Sequence, residues 1–246
     1  MKAAEKIQMY LKVLKLQQIA EVYPDEAEKA AKAKRSYQDF LLRLLEQQVN
    51  ARIEGSINRQ IRSAGFPAIK HLEEFDFSFQ PKLDEKLLRE LAGLQFLNES
   101  KNILFLGPPG VGKTHLAIAL GLKACQARKR VLFYTAEALT QMLAADDITG
   151  NLQKRLVSLS RIDLLVIDEL GYLELSQKTA TLFFQLISKR YERGSIIITS
   201  NKPFEEWGVI FQDDVVAAAI LDRLLHHSYT FYIQGNSYRM KNIRPK

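Results

Sequence analysis

Apolar positions along the chain follow two different periods. Tyr37, Phe40, Leu41, Leu44, Leu45, Val49, Ile53, Ile57 and Ile61 recur every three or four positions, the spacing of one buried helical face. Residues 3 to 64 therefore predict helices, with a break near "YPDE" (23 to 26), where Pro24 stops the first. A helical wheel puts Arg52, Arg59 and Arg62 roughly opposite Ile53, Ile57 and Ile61, so this helix is expected to bury one side and offer arginines on the other. The Gly and Pro of "AGFP" (64 to 67) end it, and the alternating "FDFSF" (75 to 79) predicts an extended connector.

Beyond residue 70 the period changes. Apolar runs rich in β-branched residues, "NILFLG" (102 to 107), "VLFYTA" (131 to 136), "DLLVIDEL" (163 to 170), "SIIITS" (195 to 200) and "YTFYI" (229 to 233), alternate with amphipathic helical stretches. Continuously apolar strands between helices imply a parallel sheet covered on both faces. The expected fold is thus α/β, a central five-stranded parallel sheet in residues 71 to 246 preceded by a small all-α domain in residues 1 to 70.

Composition narrows the class. Hydrophobic residues make up 47% of the 246 and charged residues 26%, ordinary globular proportions that argue against disorder. Cys125 is the single cysteine, which excludes an intramolecular disulfide, and the four histidines (71, 115, 226, 227) show no ligand spacing. No run approaches the length of a membrane span and the charged N-terminus is unlike a signal peptide, so the expectation is a cytoplasmic protein with no membrane partner. The net charge of +7 is concentrated, since residues 29 to 70 carry nine Lys or Arg against three acids. Such a segment suggests a polyanionic partner.

The chemistry-bearing stretch is "GPPGVGKT", residues 107 to 114, between a predicted strand and a predicted helix. It matches the phosphate-loop pattern, in which glycines let backbone N–H groups approach phosphate oxygens at a helix N-terminus. Nucleotide contacts are expected from Gly107, Pro108, Pro109, Gly110, Val111, Gly112, Lys113, Thr114 and His115, with Lys113 reaching the β- and γ-phosphates of ATP. The strand "LLVIDEL" ends in two acids. Asp168, with Thr114, would hold Mg²⁺, and Glu169 would polarise a water for attack on the γ-phosphate, which favours hydrolysis over transfer. A further strand falls between the loop strand and the acid strand along the chain, as in phosphate-loop ATPases with an extra central strand. Asn201, at the tip of the next strand, could orient the water, and Arg223, on a helix beyond the sheet, is better placed for a neighbouring subunit's nucleotide than its own. His226 and His227 read as surface or packing residues.

"GPPGVGKTHLA", "LLVIDELGY", "FFQLISKRYERGSIIITSNKPFEEW" and "ILDRLLHHSY" together resemble the AAA+ ATPases of the helicase-loader group, and most closely the IstB family of insertion-sequence transposition helpers. The resemblance implies an ATP-dependent homo-oligomer that grips double-stranded target DNA with little sequence preference and delivers it to a transposase. It makes Asn201 the sensor asparagine and Arg223 the arginine finger, with Arg190 and Arg193 as rivals, and it leaves any lid-borne arginine to Arg239. It also implies an AAA+ core without a full C-terminal lid domain, because only 23 residues follow Arg223.

Assembly is expected to align the N-terminal basic helices, with Arg52, Arg59 and Arg62 as DNA contacts. By resemblance to initiator-type ATPases, Lys154, Arg155 and Arg161 in "NLQKRLVSLSR" add a second DNA-facing element. Two other readings share the loop: a replicative helicase loader, whose N-terminal domain binds a helicase, and a small-molecule phosphotransferase.

Overall fold

A computed structural model of the chain describes residues 2–241 and divides into two compact units between Arg59 and Gln60. In the first unit lie α1 (Ala3–Val13), α2 (Gln17–Lys32) and most of α3 (Tyr37–Ala64). Pro24 does not stop a helix; it lies inside α2, and the helices break instead at 14–16 and 33–36. The lost intrahelical bond explains the tolerance. A proline at 24 leaves the Ala20 carbonyl without its usual N–H donor, and the Gln8 side-chain amide donates to that carbonyl at 2.9 Å.

The expected buried face of α3 is only partly buried. Leu44 and Gln48 are buried, Phe40 packs near the Tyr23 ring at 6.3 Å, and the Gln48 carboxamide accepts from the Ile19 N–H at 3.4 Å. One helix, α2, thus covers one row of α3. The adjacent row of Tyr37, Leu41, Leu45, Val49 and Ile53 stays exposed. Arg52, Arg59 and Arg62 are exposed.

In the second unit, α3 ends at Ala64 and Gly65 continues in the left-handed region, as the "AGFP" signal predicts. The "FDFSF" connector is not extended. A 3-10 turn at Leu72–Glu74 precedes it and another forms within it at Phe77–Phe79, fixed by the Asp76 carboxylate, which accepts from the Phe79 N–H and the Ser78 hydroxyl. There follow α4 (Glu85–Leu91), α5 (Gln95–Asn98), β1 (Asn102–Leu106), α6 (Lys113–Gln126), β2 (Val131–Thr135), α7 (Ala136–Ile148), α8 (Leu152–Ser160), β3 (Leu164–Leu170), α9 (Gln177–Arg190), β4 (Ser195–Ser200), α10 (Trp207–Phe211), α11 (Asp214–Leu225) and β5 (Ser228–Tyr232).

The five strands are all parallel, in the order β2-β3-β4-β1-β5. The strand inserted in space between the loop strand β1 and the acid strand β3 is therefore β4, not the β2 that intervenes along the chain. Strand alternation builds the two cores. Leu104, Leu106, Leu165, Ile167, Ile196 and Ile198 face α7 to α11, while Ile103, Phe105, Leu164, Val166 and Ile197 face α4 to α6 and the end of α3. Burial of both faces is why these strands read as unbroken apolar runs. The carboxyl ends of β1, β3 and β4 meet at one edge, where ligands of open parallel sheets bind. Among the described residues, only a 3-10 turn at Tyr238–Met240 follows β5.

Candidate functional site

The loop between β1 and α6 carries residues 107–112, and α6 starts at Lys113 with Gly112 as its N-cap. The helix N-terminus thus points its free N–H groups into the loop. Lys113 is buried, and its Nζ donates to the carbonyls of Gly107 at 2.6 Å and Pro108 at 2.8 Å. Burial pushes the Lys113 ammonium down to about 8, against the pull of Asp168 and with a smaller push from Arg239. A polyanion in the loop would stabilise the charged form.

Asp168 and Glu169 end β3 differently. Asp168 is buried, and its Oδ1 accepts from the Thr114 hydroxyl at 2.9 Å and from the Thr199 hydroxyl at 2.5 Å. Glu169 is exposed, with φ of 63°. Its N–H donates to the same Thr199 oxygen at 3.0 Å. Pairing of β3 with β4 slips between Ile167 and Leu170, so the bulge that carries Glu169 is held by a β4 side chain and not by the regular ladder. Thr199 was missed in the sequence. Its only signal is a hydroxyl directly after the apolar run Ile196–Ile198 of β4.

Thr114, Glu169 and Thr199 border a cavity of about 430 Å³, lined also by the rest of the loop from Gly110 to His115 and by Tyr172, with Arg239 and Tyr238 from the C-terminal segment. Pro67, Ala68, Phe75 and Ile118 supply apolar wall. His115 meets Phe75 edge to face at 5.4 Å, and its Nε2 lies 2.8 Å from the His71 carbonyl. The volume and lining suit a nucleotide-sized ligand. Thr114 and Asp168 offer hard oxygen donors, side by side, of the kind that Mg²⁺ requires.

The other sequence candidates lie outside this cavity. Asn201 sits beside the turn after β3, its Oδ1 buried without a partner among the described residues. Arg223 is half-buried over the Phe184 ring at 4.8 Å and donates to the Ala219 carbonyl at 2.8 Å. Arg190 is fully buried and donates to the carbonyls of Leu159, Ile162 and Ser195 at 2.5, 3.0 and 2.7 Å. It ties the ends of α8, α9 and β4 together and is committed to the core, whereas Arg193 is exposed. Arg155 is ion-paired with Asp146 at 2.6 Å, and Lys154 and Arg161 are exposed. His226 and His227 are exposed and meet the exposed Glu192, a grouping that sequence spacing did not reveal. The Tyr191 hydroxyl already takes Nδ1 of His226 at 2.7 Å.

The strand order, the phosphate loop after β1 and the buried aspartate near the carboxyl end of β3 define a P-loop ATP-binding protein of the AAA+ class. The class likeness is visible in solved structures. The chain superposes on the DnaC helicase loader with a TM-score of 0.51 at 24% identity, covering 61% of this chain and 87% of that one. It superposes on AMPPCP-bound DnaA from Aquifex aeolicus with a TM-score of 0.58 at 24% identity, covering 72% and 54%. More narrowly, the chain belongs to the IstB-like ATP binding protein family, whose family model matches residues 9–245. It is 47% identical over 238 residues to a protein named for ATP binding in insertion sequence IS21 of Pseudomonas aeruginosa, covering 97% of this chain and 90% of that one. It is 45% identical over 240 residues to the corresponding IS5376 protein of Geobacillus stearothermophilus, covering 98% and 96%. The family resemblance read from the sequence is borne out.

Proposed function

We propose that this protein is an Mg²⁺-dependent ATPase that assembles on double-stranded DNA and delivers it to the transposase of an insertion sequence. The observation that carries the ATPase reading is the Thr114, Asp168, Thr199 cluster with Glu169 beside it at the mouth of the loop. In this reading Lys113 turns from the loop carbonyls to the β- and γ-phosphates, and the free N–H groups at the start of α6 take the remaining phosphate oxygens. Thr114 and Asp168 hold Mg²⁺, which supplies charge neutralisation on the phosphates when bound. Glu169, exposed to solvent, accepts a proton from the attacking water. Asn201, beside the turn after β3, is proposed to orient that water.

Arg223 is proposed as the residue completing a neighbour's site. To act there it must leave the Phe184 ring, and Arg193 on the adjacent turn is the exposed rival. An arginine supplied in trans is worth roughly a thousandfold in rate. ATP would then favour assembly by binding the assembled form better.

DNA binding rests on the exposed arginines of α3 (Arg52, Arg59, Arg62), with Lys154 and Arg161 secondary and Arg155 first having to release Asp146. Contacts of this kind release counterions and carry little sequence information. The relatives' names, which place them in insertion sequences, support the link to transposition. The assignment of residues 1 to 70 to DNA binding and of 71 to 246 to ATP is part of the same proposal. The exposed apolar row of α3 favours a second reading, in which the N-terminal helices bind a protein such as a replicative helicase.

Particle size, measured by light scattering with ATP, with duplex DNA and with both, tests the scheme. Growth only with ATP and retention of duplex at moderate salt are expected. A monomer under every condition refutes it, and capture of a helicase hexamer without stable duplex binding turns it to the second reading.

A further inference from the structure

At the amino edge of the sheet, opposite the phosphate loop, two turns converge. One follows α9 and carries Glu192; the other follows α11 and carries His226 and His227. The buried Asn102, at the start of β1 between β4 and β5, fixes both from beneath. Its N–H donates to the His227 carbonyl at 2.8 Å, its Nδ2 donates to the Leu224 carbonyl at 3.0 Å, and its Oδ1 accepts from the Ile196 N–H at 2.9 Å. The first turn is held a second time. The fully buried Arg190 anchors its start, and the Arg190 carbonyl accepts the N–H groups of Arg193 and Gly194 at 2.9 and 3.3 Å. Glu192 is thereby kept at a left-handed φ of 57°, a conformation that a non-glycine residue holds only where its neighbours impose it.

This buried frame brings three ligand side chains together at the surface. Glu192 Oε1 lies 4.0 Å from Nδ1 of His226 and 3.7 Å from Nε2 of His227, and one donor atom from each of the three lies within 4.8 Å of the others. The two imidazole centroids are 4.0 Å apart. Ligands about 2.1 Å from a tetrahedral ion stand about 3.4 Å from one another. The three atoms therefore need to draw in by about 1 Å, which exposed side chains achieve by small rotations over a fixed backbone. The Tyr191 hydroxyl, 2.7 Å from Nδ1 of His226, is the group such an ion displaces. Its bond is exposed, and water replaces a bond of that kind at little net cost.

We propose that Glu192, His226 and His227 form a binding site for a divalent transition-metal ion of the zinc type, with water in the fourth position, and that the bound ion staples the α9–β4 turn to the α11–β5 turn. Two imidazole nitrogens and one carboxylate oxygen are a ligand set that suits Zn²⁺, whereas Mg²⁺ takes oxygen ligands. The site is thus chemically distinct from the oxygen donors of Thr114 and Asp168 at the other end of the sheet. It goes beyond the ATPase reading and does not depend on it.

Untagged full-length protein, first stripped with a chelator, is titrated with Zn²⁺ in competition with a chromophoric zinc chelator. Nucleotide is left out and Mg²⁺ is in excess, so that the oxygen donors at the loop are covered. The wild type should bind one Zn²⁺ per chain, and saturating Zn²⁺ should raise its melting midpoint by several degrees, because an ion that binds only the folded form stabilises it. Groups outside a metal's own ligand set are already worth ten- to a hundredfold in affinity. Loss of a ligand in Glu192→Gln or His227→Ala should therefore weaken binding by at least about tenfold and remove the melting shift; both side chains are exposed, and metal-free melts check that the variants fold. No Zn²⁺ binding in the wild type, or wild-type affinity in both variants, overturns the site. Full affinity in Glu192→Gln with loss in His227→Ala reduces it to a histidine pair and overturns the staple, as does binding by the wild type with no melting shift.

Discussion

Thr199→Val tests whether one β4 hydroxyl positions both acids of β3. The exchange is nearly isosteric and leaves the loop untouched. It deletes the 2.5 Å hydrogen bond to Asp168 and strands the Glu169 N–H that donates at 3.0 Å. A bond to a charged acceptor contributes about 1.5–3 kcal/mol and an abandoned partly buried donor costs about 1–3 kcal/mol. The two losses share an atom and do not add fully, so a net destabilisation of about 2–4 kcal/mol is expected. Glu169 also holds a left-handed φ of 63° where pairing with β4 slips, a conformation costing about 1–3 kcal/mol that persists only while its neighbours impose it. Released, the carboxylate shifts relative to the attacking water, and a displacement of about 1 Å costs on the order of a hundredfold in rate. Urea denaturation reads the first effect and steady-state ATP hydrolysis the second. Expected are a kcat lowered by roughly ten- to a hundredfold with KM changed little, and near wild-type values in Thr199→Ser, which keeps the hydroxyl. A Thr199→Val protein with wild-type kcat and stability, or a Thr199→Ser protein as impaired as the valine variant, refutes the positioning role.

Arg190→Ala should destabilise the fold by about 3 kcal/mol or more, because it empties a buried volume and removes the side-chain donor from three carbonyls; urea titration that finds wild-type stability rejects the structural role. Lys113→Met should reveal the cost of burying the ammonium. The folded value near 8 lies below the ordinary 10.5, so the penalty is fully present below pH 8 and is relieved as pH rises toward 10.5. Wild-type stability relative to Lys113→Met must therefore climb across that window in the absence of nucleotide, and a flat difference contradicts it. Pro24→Ala should stabilise the N-terminal helices by about 1–3 kcal/mol, since an interior proline is unfavourable even with Gln8 serving the Ala20 carbonyl; thermal melts followed by circular dichroism at 222 nm that show an unchanged or lower midpoint count against it.

The sheet was legible because both its faces are buried. Strands such as β3 and β4 carry no polar face to interrupt the apolar run, and only Asp168, Glu169, Thr199 and Ser200 break it at the functional end. The N-terminal helices were harder for the opposite reason. Their pattern records which residues are apolar, not how many partners are present to cover them, so Leu44 and Leu45 read alike although one is buried and the other exposed. Pro24 misled because its cost is local while its remedy comes from Gln8, on another helix. Thr199 and Asp168 are 31 positions apart and meet only through the register of β3 and β4, a relation no spacing rule contains.

The loop glycines carry a second constraint beside the one their motif names. Gly107 and Gly110 signal close approach to phosphate. The structure adds a second close approach, by Ile233 and Ser237 from the opposite end of the chain. A side chain at either position would expel the crossing segment even with no nucleotide present. Replacing Gly110 by alanine is thus expected to weaken ATP binding and, independently of nucleotide, to displace Ser237 and Tyr238. Trypsin should then cut after Arg239 faster than in the wild type when no nucleotide is present. A Gly110→Ala protein that binds ATP more weakly but is cut there at the wild-type rate would assign the glycine to phosphate contact only.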